Sequence, residues 1–335
     1  MLRYLGRRLG WAAILLLVLT LVTFVLSHVI PGDPATFMAG FGATKESIVA
    51  MRTEMGLDKP LPTQYLLYLQ GLAHFDFGKS VRTGDAVSSD IAHFLPASLE
   101  LAIISFTIYV LLAVPLGTLA ASRRGRRLDG FLRTFSIAGS GVPVFWLAIL
   151  LQEFFFAYLN WLPAGGRVAI TAATPNTITG IYTIDSILTG NLELLGSAVV
   201  HLILPVATIV LAMLAVGLRA TRASVMQELD RPYVRTARAK GVSEWRLYSV
   251  HLLRNALNPV ISIMGLQAGY LLGWIILVET VFGWPGIGLY AYQSIQHLDY
   301  APIMGLTLVI SSGFILINLV TDLLYPILDP RLRES

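Results

Sequence analysis

Residues 233–259 read YVRTARAKGVSEWRLYSVHLLRNALNP and lie between two long apolar runs. The stretch is basic and carries one Gly near its middle, with small residues at Thr236, Ala237 and Ala239. Helix formers fill 233–240, and Gly241 can adopt the left-handed backbone that ends a helix. Ser243 is placed to cap a second helix whose first turn holds Glu244, a favourable charge near a helix N-terminus. The pattern predicts a helix, a glycine bend and another helix, close to the membrane plane. Tyr233, Val234 and Trp245 offer apolar anchors to a partner. Arginines alone would also suit anionic lipid head groups. The ordered small residues, Gly, Trp and Pro are not needed for that.

The flanking runs decide the fold. The chain has 335 residues, 55% hydrophobic and only 13% charged, with a mean hydropathy of +0.69. A soluble domain carries about 25% charged residues, so this is an integral membrane protein. There is no cysteine, which excludes disulfides and thiolate metal or redox sites. The net charge of +4 does not signal nucleic acid, because the charges cluster beside apolar segments.

Six runs are long enough to cross a bilayer as helix, which takes roughly 20 residues: 9–30, 97–121, 134–158, 198–220, 260–282 and 303–326. The first follows Arg3, Arg7 and Arg8 as a signal peptide would. It is too long for such a core, and no small-residue cleavage site follows, so it is read as a retained helix. Lys and Arg number three in the N-terminus, five in 122–133, eight in 219–259 and two at the C-terminus, eighteen in all; the opposite side has six. The positive-inside rule then places both termini in the cytoplasm. The expected fold is an all-α polytopic membrane protein with six transmembrane helices. Its parts are 1–30 with the first span, an outer loop at 31–96, and a core at 97–335. That core holds an outer loop at 159–197 and a cytoplasmic loop at 219–259.

The 31–96 loop reads as structured. Pro31, Gly32 and Pro34 break the first helix. Ile48, Met51 and Met55, and then Leu61, Tyr65, Leu69 and Leu72, recur at helical spacing. These short amphipathic helices lie on the membrane surface or on neighbouring helices; packing over helix ends and direct ligand contact are both open. Ionisable groups in or beside spans are functional candidates. Glu100, Glu153, Glu279, Asp322, His28 and His201 all lie near interfaces, where snorkelling lowers their cost. Glu279 leads, because the irregular backbone of Pro285, Gly286 and Gly288 follows it. The His residues lack metal-type spacing, and neither G-x-S-x-G nor H-E-x-x-H occurs. Gly139 and Gly141, with Ser136 and Ser140, read as helix packing in the third span. Trp146, Phe154, Trp161 and Trp274 suit a cavity or an interfacial belt equally.

The 233–259 loop resembles the EAA motif of permease subunits of binding-protein-dependent ABC importers. The general motif is matched at Ala237, Gly241 and Leu253. The oligopeptide/dipeptide/nickel form, Tyr-(Val/Ile)-x-Thr-Ala-Arg-Ala-Lys-Gly, fits from Tyr233 through Gly241. Further hallmarks follow in order: HVIPGDP (28–34), GLDKP (56–60), DFGKS (76–80), LPASLEL (95–101), LPAGG (162–166), ETVFGWPGIG (279–288) and LDPR (328–331). The long first outer loop is similar to that of the B-type permease.

The resemblance implies a type I importer permease in the plasma (inner) membrane. It would pair with a C-type permease, two cytoplasmic ATPases and an external solute-binding protein, with membrane lipids around it. ATP and Mg would bind on the ATPases, since no G-x-x-x-x-G-K-[ST] occurs here. The chain itself would bind no cofactor or metal and would not be an enzyme alone. Tyr233, Val234, Thr236, Ala237, Arg238, Ala239, Lys240, Gly241, Glu244 and Trp245 would form the coupling element. Glu279, Phe282, Glu153 and Glu100 are the pathway or gate candidates. Di- or oligopeptides are the expected cargo, with nickel or another small solute as the alternative. A second class, an ion-coupled secondary transporter, would show internal repeats with broken helices at the midplane; no convincing repeat is seen.

Overall fold

The structure is a computed structural model and describes residues 2–29, 35, 43–54, 56–171 and 177–328. The His28 side chain, the 31–34 break, Met55 and residues 329–331 lie outside the described residues. Among the described residues the chain is helical, with one isolated antiparallel bridge between Lys79 and Ala86. In a bilayer this follows from chemistry, because only a helix satisfies its own backbone polar groups there.

In chain order the helices are α1 (Leu2–Val29), α2 (Lys45–Glu54), α3 (Leu61–Ala73), α4 (Val87–Ser122), α5 (Arg127–Gly139) and α6 (Val144–Gln152). They continue with α7 (Tyr182–Leu188), α8 (Leu192–Leu229), α9 (Pro232–Ala239), α10 (Glu244–Arg246), α11 (Leu253–Phe282), α12 (Ile287–Gln296) and α13 (Tyr300–Leu328). A π-helical turn, Glu153–Tyr158, extends α6, and another, Leu247–Leu252, joins α10 to α11.

Among the described residues, five helices are long and apolar enough to span a membrane, and α5 with α6 and its π-turn, bent by 106° at the break, pass the same test as a pair. The third span is therefore not the straight helix expected over 134–158. The break falls at Ser140-Gly141-Val142-Pro143. Pro143 lacks a backbone donor and biases Val142 away from helix. The packing role expected of both glycines holds for Gly139, which faces Ala215 of α8, whereas Gly141 belongs to the break. The other spans outrun their apolar cores: α4 begins ten residues before the expected boundary at 97, and α8 extends past 220 to Leu229. Pro205 and Pro259 sit inside α8 and α11. Membrane helices tolerate them because neighbouring groups re-satisfy the freed backbone.

Two compact units form, one from 1–96 with 286–316 and one from 97–285 with 317–335. In the first, α3 packs on α1. Thr20 and Thr23 hydrogen-bond the hydroxyls of Tyr65 and Tyr68 at 2.9 and 3.1 Å, and Phe24 meets Tyr65 edge-on. A second cluster gathers Val87, Ile91, Ile287, Tyr290 and Leu306. Beside it runs a buried polar chain. Ser80 donates to Asp299 at 2.6 Å, Thr83 to Asp90 at 2.7 Å, and Tyr290 to Asp90 at 2.6 Å.

The second unit is built around α8, which packs chiefly against α11 and also against α5, α6 and α7. Its core includes Leu101, Tyr109, Ile209, Met213, Val278, Phe282 and Trp284. Small residues let backbones approach. A side chain at Gly217 would run into the Tyr109 phenol, and one at Gly117 would meet the Leu218 carbonyl at 2.9 Å.

Candidate functional site

The 231–253 segment is fixed by local rules. Arg231 is extended and Pro232 opens α9, a position that needs no backbone donor. Every turn of α9 then has an inward face. Val234 is fully buried on Leu247 and Leu252, with Tyr233, Ala237 and Val242 around them. Tyr233 also donates from its hydroxyl to Glu228 near the end of α8, at 2.8 Å. Burial pushes the Tyr233 phenol above its ordinary value.

Gly241 closes α9 at φ +76°. Its amide donates to the Arg238 carbonyl at 3.0 Å, and the Val242 amide to that of Ala237 at 3.2 Å. That pair of bonds is a Schellman closure, and it requires the left-handed residue that glycine supplies. Ser243 starts the next helix, but not as expected. Its hydroxyl makes no capping bond, and its carbonyl accepts from the Leu247 amide at 2.8 Å. The second helix is also not a separate in-plane element, because it runs through the π-turn into α11.

Across the bend, Arg238 grips Glu244 with two bonds, at 2.8 and 3.1 Å. The carboxylate raises the already high guanidinium pKa. Both side chains are about half exposed, so solvent screening leaves the pair a geometric rather than an energetic role. Arg235, Thr236, Ala239, Lys240 and Gly241 face solvent, and Trp245 is 83% exposed. The three expected anchors therefore separate. Val234 is spent on the chain's own core, Tyr233 is partly so, and Trp245 is free.

The acidic candidates at the other end of α11 divide in the same way. Glu279 is fully buried and accepts from Ser98 of α4 at 2.5 Å. Gly283 ends α11 in the left-handed region, and Trp284 turns inward to donate its indole to the Ala97 carbonyl at 3.0 Å. Phe282 is buried in the core, and its carbonyl accepts from the Gly166 amide at 2.9 Å. Gly165 lies so close to that carbonyl that any side chain there would overlap it.

Glu100 is also buried. It meets Arg167 at 2.6 Å and accepts from the Thr183 amide and hydroxyl at 2.8 and 2.7 Å. Arg167 also donates to the Gly180 carbonyl at 2.9 Å and stacks on Tyr182, 3.6 Å from the ring centre. Asp185 then gathers the turn before α7, accepting from Thr179, Gly180 and Ile178. Together these bonds latch the described parts of 162–190 onto α4 at Glu100 and onto the end of α11. Glu153 is exposed and takes no part. In the sequence Arg167 is one of the six outer basic charges, and Asp185 is not marked by any motif. A lone Arg directly after LPAGG was the available signal.

The arrangement defines a class: a multi-pass α-helical membrane protein in which α11 carries an exposed basic bend, shared with α8, at one end and a buried polar latch at the other. Residues 113–334 match the family described as binding-protein-dependent transport system inner membrane component, and residues 1–102 match the corresponding N-terminal family; the chain belongs to this family. It is 40% identical to the probable D,D-dipeptide transport system permease protein DdpB of Escherichia coli K12 over 98% of this chain and 97% of that protein. It is 38% identical to the dipeptide transport system permease protein DppB of the same strain, over the full length of both. It is likewise 38% identical to the di/tripeptide transport system permease protein DppB of Pseudomonas aeruginosa UCBPP-PA14, again over the full length of both.

Two outcomes are expected of the latch. Arg167→Met strands a buried carboxylate, and removing one partner of such a pair costs about 3–5 kcal/mol; a lowered melting temperature of the detergent-solubilised protein checks this. For Asp185, burial pushes the carboxyl up, but its hydrogen-bond donors outweigh that and hold it below its ordinary value. Its folded pKa thus lies below its unfolded one. Its stabilisation is complete above about pH 4 and is lost as pH falls through the folded value. Amide exchange at Thr179 and Gly180, corrected for intrinsic rate, should rise on acidification, and Asp185→Asn should abolish that dependence.

Proposed function

We propose that this chain is the B-type permease subunit of an ATP-driven importer of short peptides, working by alternating access. The full-length likeness to dipeptide permeases supports the cargo class, with nickel or another small solute as the alternative. A second permease, two ATPases carrying ATP and Mg, and an external binding protein complete the machine. The excess of Lys and Arg on one side supports placing both termini, and the 219–259 loop, in the cytoplasm.

The observation that carries the coupling role is how the bend is mounted. Val234 seats α9 on Leu247 and Leu252 at the foot of α11, and Tyr233 ties it to Glu228 near the end of α8. Arg235, Thr236, Ala239, Lys240 and Trp245 meanwhile remain exposed for an ATPase groove. A load applied to the exposed face passes to both helices without a flexible joint. Closure of the ATPases on ATP would displace the bend, tilt α8 and α11, and shift the two-state pathway. At the far end of α11, Glu279, Phe282 and Glu100 hold the latch that such a tilt would have to disturb. Glu153, exposed and outside that network, is the weakest of the gate candidates.

Uptake of a labelled dipeptide should survive a proton uncoupler and fail on ATP depletion; the reverse would point to an ion-coupled carrier. Gly241→Val forces a β-branched residue into the left-handed region, at about 1–2 kcal/mol. It should abolish uptake and uncouple ATPase stimulation while membrane insertion stays normal. Trp245→Ala removes only an exposed ring and should weaken ATPase stimulation with no change in melting temperature.

A further inference from the structure

A groove of about 280 Å³ opens between α5 and α8, lined by Arg133, Ser136, Ile137, Leu218, Arg219 and Arg222, with Ala223 at its edge. Three arginines line one cavity, and among the described residues no carboxylate does. Asp129, one turn before Arg133 on α5, is already committed. It holds Arg222 by two bonds, at 2.6 and 3.0 Å, and accepts from the Gly125 amide at 3.0 Å. Three guanidiniums against one carboxylate leave two positive charges uncompensated. Among the described residues, neither Arg133 nor Arg219 forms an ion pair.

The depth of these arginines is set by the sequence. Arg219 is the first charged residue of α8 after Glu193, and the run between them is apolar but for His201 and a few small polar residues. Arg133 is the last charge before the uncharged stretch that continues to Glu153. Each therefore stands at the rim of a membrane-buried segment, where lipid phosphates lie. One turn beyond Arg133, Ile137 is 65% exposed and offers an apolar wall to the first carbons of an acyl chain. A guanidinium fork matches phosphate geometry, and basic pockets between membrane helices recognise anionic head groups.

We propose that this groove is a binding site for the phosphate of an anionic phospholipid, seated between Arg133 and Arg219 and steadied by Arg222. A zwitterionic lipid offers the same phosphate, but its ammonium would meet the two surplus positive charges. The site thus selects net negative head groups. This reading does not depend on what the protein transports.

The test uses the full-length chain with its co-purifying subunits, extracted in detergent and exposed to equimolar phosphatidylglycerol and phosphatidylcholine. Native mass spectrometry of the released subunit reads the retained lipid. Phosphatidylglycerol should dominate, and Arg133→Gln with Arg219→Gln should reduce that preference roughly thirtyfold, since each basic residue near the surface contributes about 1 kcal/mol. Arg133→Lys with Arg219→Lys should keep most of it. Arg123→Gln with Arg124→Gln, which removes equal charge from the neighbouring turn, should leave it intact. Equal retention of both lipids, or an unchanged preference in the double glutamine variant, overturns the proposal. Two further results would also overturn it: displacement of the lipid by inorganic phosphate alone, which would mean a free-anion site, and a cross-link from residue 133 to an acidic segment of a partner subunit.

Discussion

The pairing of α8 with α11 is the constraint on which the second unit depends. Each helix supplies apolar residues to the core through most of its span, and each carries a polar device at its end. At one end the head of α11 and the tail of α8 grip α9 through Val234 and Tyr233. At the other, Glu279 and Trp284 bond α11 to Ser98 and Ala97 on α4. Interiors packed at close to crystal density do not deform smoothly. A shift of one helix against the other is therefore felt at both ends together.

The latch makes a different kind of statement. A buried ion pair such as Glu100 with Arg167 adds little net stability over an apolar pair of equal volume, because desolvation offsets the attraction. What it fixes is position. Glu100 has its oxygens shared among Arg167, Thr183 Oγ1 and the Thr183 amide. Shifting the segment by one residue would strand a charge out of water. The same logic holds for the close seat of Gly165 on the Phe282 carbonyl, where geometry excludes every alternative residue.

Much of this was legible in the sequence, and the reason differs by element. The spans were readable because the solvent there is hydrocarbon and composition alone reports it. The bend was readable because Gly241 and its neighbours obey local backbone rules. The break in the third span was hidden by uniformly apolar residues, although Pro143 and the glycines before it carried the signal. Val234 looks like a free anchor in the sequence because helical spacing says which residues share a face, not whether that face is already covered. Ser243 has the right chemistry for a cap, yet its backbone did the work. Of the latch, Glu100, Glu279 and Phe282 stood out singly, but their pairing did not: Glu100 and Arg167 are 67 residues apart, and nothing local links them.

The π-turn over Leu247–Leu252 sets an azimuth. Such a turn accommodates one residue more than α-helical winding, and each residue advances a helix by about 100° around its axis. The extra residue therefore decides the compass direction in which the Arg235 and Trp245 face points, independently of how the apolar flank of α11 meets its neighbours. Relatives that lengthen or shorten this turn would aim the same motif toward a different quarter of the surroundings while keeping their interior unchanged.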